Sequence, residues 1–152
     1  GTGANPDDYT VTVSYTIQDQ DDKLTADSTI TVNVRCLRAK PIAVDDETTT
    51  SDEQPVTINP LVDNGNGPDT DPENEPLTVI SIGNADIGTA ELNEGGTVTY
   101  TPDPEQCERI CTYAENRQYV ATVPYTIRDF DDELTDSAKI TIIVSCVRPP
   151  IA

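Results

Sequence analysis

Polar and apolar residues alternate along several stretches of the chain. Residues 10–17 read TVTVSYTI, so apolar side chains occupy every second position. A period of two places such side chains on one face of a β-strand. The same alternation returns over residues 29–34, 97–101, 121–127 and 139–144, and no segment shows a convincing helical period. Short alternating strands separated by turn residues predict an all-β sandwich or barrel.

An internal repeat divides the chain. Residues 14–36 read SYTIQDQDDKLTADSTITVNVRC and residues 124–146 read PYTIRDFDDELTDSAKITIIVSC, with a constant offset of 110 residues. That offset aligns Tyr15 with Tyr125 and Cys36 with Cys146. A fixed period is the signature of tandem arrays, and this one is about the size of an immunoglobulin-like sandwich, which has roughly 100 residues.

The repeat sets the predicted domain boundaries. Residues 39–147 hold one complete immunoglobulin-like module. Its seven predicted strands, in chain order, are A (from near Ile42), B (about 56–61), C (about 77–82), D (about 89–92), E (about 97–101), F (about 120–127) and G (about 139–144). Residues 1–38 contain only strands F and G, and are predicted to be the C-terminal hairpin of a preceding repeat. A lone hairpin is marginal in water, so upstream sequence or another chain would supply its missing strands. Residues 148–152 include the sequence PIA, also found at residues 41–43, and are predicted to start the next repeat.

The motifs of the complete repeat resemble, in their order, the cadherin-like tandem repeats of bacterial and algal surface proteins. They are AVDD at residues 43–46, DTDPENEPL at 69–77, GTA at 88–90, GTVTYTP at 96–102 and YTIRD at 125–129. The resemblance implies an immunoglobulin/cadherin-like Greek-key β-sandwich on the outside of a cell. The chain departs from the usual pattern by a cysteine-bearing insertion, CERIC at residues 107–111, where the family commonly has a phenylalanine-rich run.

Strand direction gathers acidic loops at one pole of the sandwich. Because successive strands run in opposite directions, the start of strand A, the B–C loop and the F–G loop share one end. Ten carboxylates lie in these segments: Asp45, Asp46, Asp63, Asp69, Asp71, Glu73, Glu75, Asp129, Asp131 and Asp132. Packed carboxylates repel one another unless a cation neutralises them.

Calcium suits this pole because it takes about 6–8 oxygen ligands in irregular geometry. Hard oxygen donors without histidine or thiolate favour calcium or magnesium over zinc. The predicted ligand candidates are Asp45, Asp46, Asp69, Asp71, Glu73, Asp129, Asp131 and Asp132. The alternative is that these are solvated turns that need no metal, on a surface whose charge serves solubility. The family resemblance favours calcium, since cadherin-like arrays often rigidify their junctions with it.

The chain has four cysteines, Cys36, Cys107, Cys111 and Cys146, which allow three pairings. The E–F loop and the end of strand G share the second pole, so Cys146 is placed to pair with Cys107 or Cys111. The alternative is a tight Cys107–Cys111 link, with Cys36 and Cys146 bonded to residues outside this segment. A zinc site would require all four thiolates to converge, and Cys36 lies near the opposite end of the complete repeat from Cys146.

Composition excludes several functions. The chain has 9 basic and 28 acidic residues and a net charge of −19, so it lacks the basic patch that nucleic acids require and does not suit anionic membrane surfaces. No stretch approaches the roughly 20 apolar residues of a membrane span. Without histidine, imidazole-dependent serine or cysteine catalysis is impossible. We therefore predict that the protein is not an enzyme.

The sequence thus predicts a non-catalytic, extracellular structural or adhesive tandem repeat at the cell surface. Calcium at the junctions between repeats, together with disulfides, would rigidify it. Its partners would be neighbouring repeats of the same chain or other copies of the protein. One alternative is a filament subunit completed by strand exchange between chains. Another is a module that recognises glycans through calcium.

Overall fold

A computed structural model describes residues 8–36, 38–110, 117–131 and 133–147 of the chain. Cys111, Asp132 and the predicted start of a further repeat at residues 148–152 lie outside the described residues. The chain divides into two compact units, Gly1–Arg38 and Ala39–Ala152.

The first unit is an antiparallel hairpin. Strand β1 (Tyr9–Gln18) pairs with β2 (Thr25–Val34) in a continuous register from Tyr9 opposite Val34 to Gln18 opposite Thr25. Threonine and β-branched residues fill both strands, and such side chains suit a pleated surface. The apolar residues all lie on one face, because they occupy alternate positions.

The second unit is a sandwich of two sheets. Its described elements are β3 (Asp46–Ser51), β4 (Val56–Ile58), β5 (Leu77–Ile82), β6 (Thr89–Leu92), β7 (Val98–Thr101), α1 (Pro104–Ile110), β8 (Gln118–Asp129) and β9 (Thr135–Ser145). One sheet has the order β3-β9-β8-β5 and the other β4-β7-β6. Strand β3 runs parallel to β9, while the other paired strands are antiparallel.

Strand β8 forms the centre of the core. Its burial alternates along its length, so that Ala121, Val123, Tyr125 and Ile127 are each at most 1% exposed. Residues of β9 continue this inner face, and Ile58, Val98 and Tyr100 cover it from the opposite sheet. A strict period of two is what a sheet with one buried face requires.

The predicted all-β immunoglobulin/cadherin-like sandwich is confirmed, with local differences. Strand A was expected to begin near Ile42, but Ile42 makes only an isolated bridge with Thr70, and β3 begins at Asp46. Strand B was expected to reach Leu61 and ends at Ile58. The helix α1, which was not predicted, is only seven residues long, too short for a helical period to emerge from the sequence.

A disulfide joins Cys107 on α1 to Cys146 beyond the end of β9, one of the two pairings that strand direction allows. Both cysteines are buried. At the same pole the Asp52 carboxylate accepts a hydrogen bond from the Val147 N–H at 3.0 Å. These two links tie the end of the last strand to the helix and to the turn after β3.

The alternation in β8 predicts different outcomes for two identical substitutions. Val123 is 0% exposed and Val120, on the opposite face of the same strand, is 52% exposed. Val123→Ala should lower the free energy of unfolding by about 2–3 kcal/mol, because it removes buried methyl groups and leaves a cavity. Val120→Ala controls for strand propensity and should cost less than about 1 kcal/mol. Denaturant unfolding measures both, and equal losses would contradict the inward assignment.

The disulfide predicts a loss of stability when it is removed. Cys107 and Cys146 are separated by 39 residues, and cross-linking a loop of this size stabilises a fold by about 4 kcal/mol in the chain-entropy model, with measured values typically about 2–4 kcal/mol. The double variant Cys107→Ala/Cys146→Ala should lose stability in this range. A reducing agent should destabilise the parent chain and leave the variant unchanged. Equal unfolding curves for parent and variant would refute the assignment.

Candidate metal centre

The loop between β4 and β5 carries five of the ten acidic residues predicted at one pole of the sandwich, and its path is fixed by hydrogen bonds. The Asp63 carboxylate accepts from the N–H groups of Gly65 and Gly67 at 3.0 and 2.9 Å. Both glycines have a positive φ, which costs glycine little. Thr70 and Ile42 then exchange two backbone hydrogen bonds. The loop therefore turns back along the start of the repeat and presents residues 69–76 beside it.

Three carboxylates converge within this loop. Ligand oxygens of Asp71, Glu73 and Glu75 all lie within 4.8 Å of one another. Asp71 positions the other two, since its Oδ1 accepts from the N–H groups of Glu73 and Glu75 at 2.8 and 3.1 Å. Asn74, at φ +61°, supplies the left-handed residue that such a tight turn needs.

Two oxygens of this cluster have unused acceptor capacity. Asp71 is only 8% exposed, and its Oδ2 is buried without a hydrogen-bond partner, as is Oε2 of Glu73. Burying an unpaired carboxylate oxygen is costly unless a hydrogen bond or a cation compensates. These two oxygens could therefore accept a cation or a further hydrogen bond.

The cluster contacts two neighbouring segments. The N–H of Ala39, at the start of the second unit, donates to Glu73 Oε1 at 3.1 Å. The N–H of Asp131, in the turn between β8 and β9, donates to Glu75 Oε2 at 3.2 Å. Nearby, Asp129 closes that turn by accepting from the Leu134 N–H with Oδ1, while its Oδ2 is buried without a hydrogen-bond partner.

A second acidic group surrounds the hydroxyl of Tyr125. That hydroxyl lies 2.7 Å from the Val44 carbonyl oxygen and 3.1 Å from both carboxylate oxygens of Asp69. One hydroxyl proton cannot serve both acceptors fully, whereas a protonated Asp69 could itself donate. Burial raises the pKa of Asp69, although a hydrogen bond from the Val44 N–H opposes the shift. Burial therefore makes the Asp69 carboxylate easier to protonate than an exposed aspartate.

Asp46 belongs to the same group. It is 2% exposed and its Oδ1 accepts from the Asn64 side-chain amide at 3.1 Å. Burial raises the pKa of Asp46 to about 6; the Asn64 hydrogen bond opposes this shift and the charge of Asp69 adds to it. Its neighbour Asp45 instead accepts from the Lys139 N–H at 3.1 Å.

The predicted ligands therefore separate into two groups. Asp71 and Glu73 lie in the three-carboxylate cluster, and Asp129 and Asp131 are in the adjoining turn. Asp45, Asp46 and Asp69 are engaged in hydrogen bonds and, among the described residues, join no set of three ligand oxygens within 4.8 Å. Asp132 lies outside the described residues. Glu75 is absent from the predicted ligand set, although the constant spacing of two residues from Asp71 to Glu73 and from Glu73 to Glu75 is a usable signal.

The cluster has the chemistry of a hard-cation site. Its donors are carboxylate oxygens from residues close in sequence. They lie beside a solvent-open pocket whose lining includes Asp71, Asn74 and Glu75. Oxygen ligands of this kind suit calcium or magnesium, and two of the oxygens are buried and unsatisfied. The residues present therefore fit a divalent cation.

A family model described as the bacterial cadherin-like domain matches residues 38–145. The chain belongs to the bacterial cadherin-like domain family. Domains of this family are generally non-catalytic and typically extracellular. A search of curated proteins found no match to the chain. Among the described residues of this cadherin-like domain and its preceding hairpin, no helix is both long and apolar enough to cross a membrane.

Burial of Asp46 predicts that the stability of the cadherin-like domain depends on pH in metal-free buffer. An acid whose pKa is raised on folding, here from 3.8 to about 6, binds more protons in the folded state between those values. Its destabilising effect is therefore full above about pH 6 and declines as the pH falls. The stability advantage of Asp46→Asn over the parent chain should shrink by about 1 kcal/mol between pH 7 and pH 5. Chemical denaturation at each pH measures it, and a constant difference would contradict the shift.

Proposed function

We propose that this domain is a non-catalytic, extracellular structural or adhesive repeat of a tandem array, which binds calcium where neighbouring repeats meet. The observation that carries the proposal is the convergence of Asp71, Glu73 and Glu75 within 4.8 Å, with buried carboxylate oxygens that have no hydrogen-bond partner. Membership of the bacterial cadherin-like family supports the structural or adhesive role.

Charge is the physical reason for a cation at this pole. The chain carries a net charge of −19, and like charges held a few ångströms apart destabilise a compact fold. The cluster is held together by backbone N–H groups donated to Asp71 Oδ1, so the carboxylates cannot separate without breaking the turn. When bound, calcium would supply the neutralising charge and accept the free oxygens as ligands.

The position of the cluster supports a role at a junction. Ala39 donates to Glu73, so the segment that leads into the repeat contacts the acidic loop directly. The next residue, Lys40, forms an ion pair with Asp136 at 2.8 Å, and the Ala43 N–H donates to the other oxygen of Asp136. The leading segment is therefore attached at several points beside the proposed site.

Such attachment gives the proposed ion a mechanical effect. Glu73 holds the leading segment, and Glu75 contacts the turn after β8 through the Asp131 N–H. Fixing these carboxylates would restrict the leading segment relative to two loops of the sandwich. In a tandem array this would limit bending between modules, because the segment that joins them could no longer move independently.

The proposal predicts calcium-dependent stability. Extracellular calcium modules bind with dissociation constants of roughly 10⁻⁴–10⁻³ M, so about 10 mM calcium should stabilise the chain by roughly 1–3 kcal/mol relative to chelator. Thermal unfolding, with titration calorimetry to measure binding, checks this. Asp71→Asn should remove most of the effect, since it keeps the Oδ1 acceptor that shapes the turn and removes one ligand charge.

Glu91→Gln is the matched control, because Glu91 is an exposed acid on β6 outside the cluster. It removes the same charge and should leave the calcium effect intact. An equal response of both variants would indicate general screening of the acidic surface. A melting temperature unchanged by calcium in the parent chain would refute the site.

A further inference from the structure

The hairpin of the first unit exposes a continuous apolar face. Its members on β1 and β2 are each at least 42% exposed: Tyr9, Val11, Val13, Tyr15, Ile17, Ile30 and Val32. The opposite face is polar and consists mainly of threonine residues. Soluble proteins rarely leave so large an apolar patch uncovered, and such a patch marks an interaction surface.

We propose that this face is the inner surface of another sandwich, covered by strands with the chemistry of β3–β7 that lie N-terminal to the hairpin in the same polypeptide. The inference rests on the repeat architecture of the proposed function and is independent of its calcium site. It assigns an interaction surface to the first unit and specifies what occupies it.

The second unit contains a structural twin of the hairpin. The offset of 110 residues places Ile30 at the position of Ile140 and Val13 at that of Val123. The register is also shared, since Val13 pairs with Ile30 and Val123 with Ile140. The turns match too: the Asp19 N–H donates to the Leu24 carbonyl oxygen, as the Asp129 N–H does to that of Leu134. The two hairpins are therefore built to the same plan.

The two hairpins differ in how far their apolar faces are covered. Ile30 and Val13 are 52% and 51% exposed, whereas Ile140 and Val123 are both 0% exposed. In the second unit the covering side chains include Ile58 on β4 and Val98 and Tyr100 on β7, and β3 and β5 flank the hairpin on either side. The same apolar pattern in the same register calls for the same kind of cover.

A second copy of this chain is a poor source of that cover. Within the residues that the structure describes, each chain carries two hairpins of this type and one set of strands β3–β7, and its own β8 and β9 already occupy that set. Exchange between copies would cover one hairpin and uncover another, so one apolar face per chain would always remain. Chain order also favours the N-terminal side, because in the second unit β3–β7 precede β8.

The test supplies the missing strands in the expected order. A copy of residues 38–117 is joined directly to Asp8 of the chain, which keeps the register because Asp8 corresponds to Gln118. In chelator, the amides of β1 and β2 should gain protection from hydrogen exchange comparable with that of β8 and β9. Tyr9 and Tyr15 should acquire the near-ultraviolet circular dichroism of buried tyrosines. Mass spectrometry should find Cys36 bonded to the added copy of Cys107, as Cys146 is to Cys107.

Two adjacent substitutions separate burial from strand propensity. Ile30→Asp in the extended chain should abolish the new protection, since its twin Ile140 is fully buried. Thr29→Asp places the same residue on the other face, where the twin Lys139 is exposed, and should leave the protection intact. Both variants should retain protection of β8 and β9, which shows that the second unit still folds.

Two outcomes would overturn the proposal. In the first, the amides of the hairpin in the extended chain stay unprotected from hydrogen exchange while the second unit folds normally. In the second, sedimentation shows that the unextended chain forms a stable dimer that Ile30→Asp dissociates, which would make a second copy the occupant. Because the measurements are made in chelator, neither outcome depends on whether calcium binds.

Discussion

The structure depends on burial of one face of the β8–β9 hairpin. Strand β8 lies between β9 and β5, and its inward residues form the floor on which the opposite sheet packs. The chain has few aromatic residues and no tryptophan, so this core relies on β-branched side chains in strict alternation. A shift of one residue in the register of β8 would turn Val123 and Ile127 outwards and Thr122 and Thr126 inwards. The sheets, the two poles and the loops between them all follow from that register.

The same alternation brings charge into the edge of the core. Asp129 continues the inward series of Tyr125 and Ile127 and is 1% exposed. Asp46 faces inwards opposite Ile140 in the neighbouring strand pair. Carboxylates in such positions need hydrogen bonds, protonation or a cation. The two acidic groups differ in the hydrogen bonds that they receive. Asn64 and Tyr125 make hydrogen bonds in the group around Asp46 and Asp69, although Asp46 Oδ2 is buried without a hydrogen-bond partner. In the cluster at Asp71, two buried oxygens, Asp71 Oδ2 and Glu73 Oε2, have no such partner.

Sequence patterns predicted the sheets well because a period of two and an internal repeat are local, redundant signals. They could place the acidic loops at one pole, since strand direction alone fixes that. They could not select which carboxylates meet. That choice depends on the Asx turn at Asp63, the left-handed Asn74 and the bridge between Ile42 and Thr70, which are loop geometries without periodicity. The same limit explains why the sequence pattern does not single out Glu75 and does not predict the short helix around Cys107.

The two poles of the cadherin-like domain restrain it by different means. At one pole a covalent link and the Asp52–Val147 hydrogen bond secure the end of β9 to the rest of the fold. At the other, the leading segment is held by ionisable groups, through Ala39 on Glu73 and Lys40 on Asp136. A disulfide persists through changes of pH and salt, whereas exposed ion pairs weaken as salt screens them. The stiffness of the segment leading into the repeat should therefore depend on the ionic environment. The stiffness of the segment that follows its last strand should not depend on it. In an array of such modules, control of flexibility would reside on the acidic side of each junction.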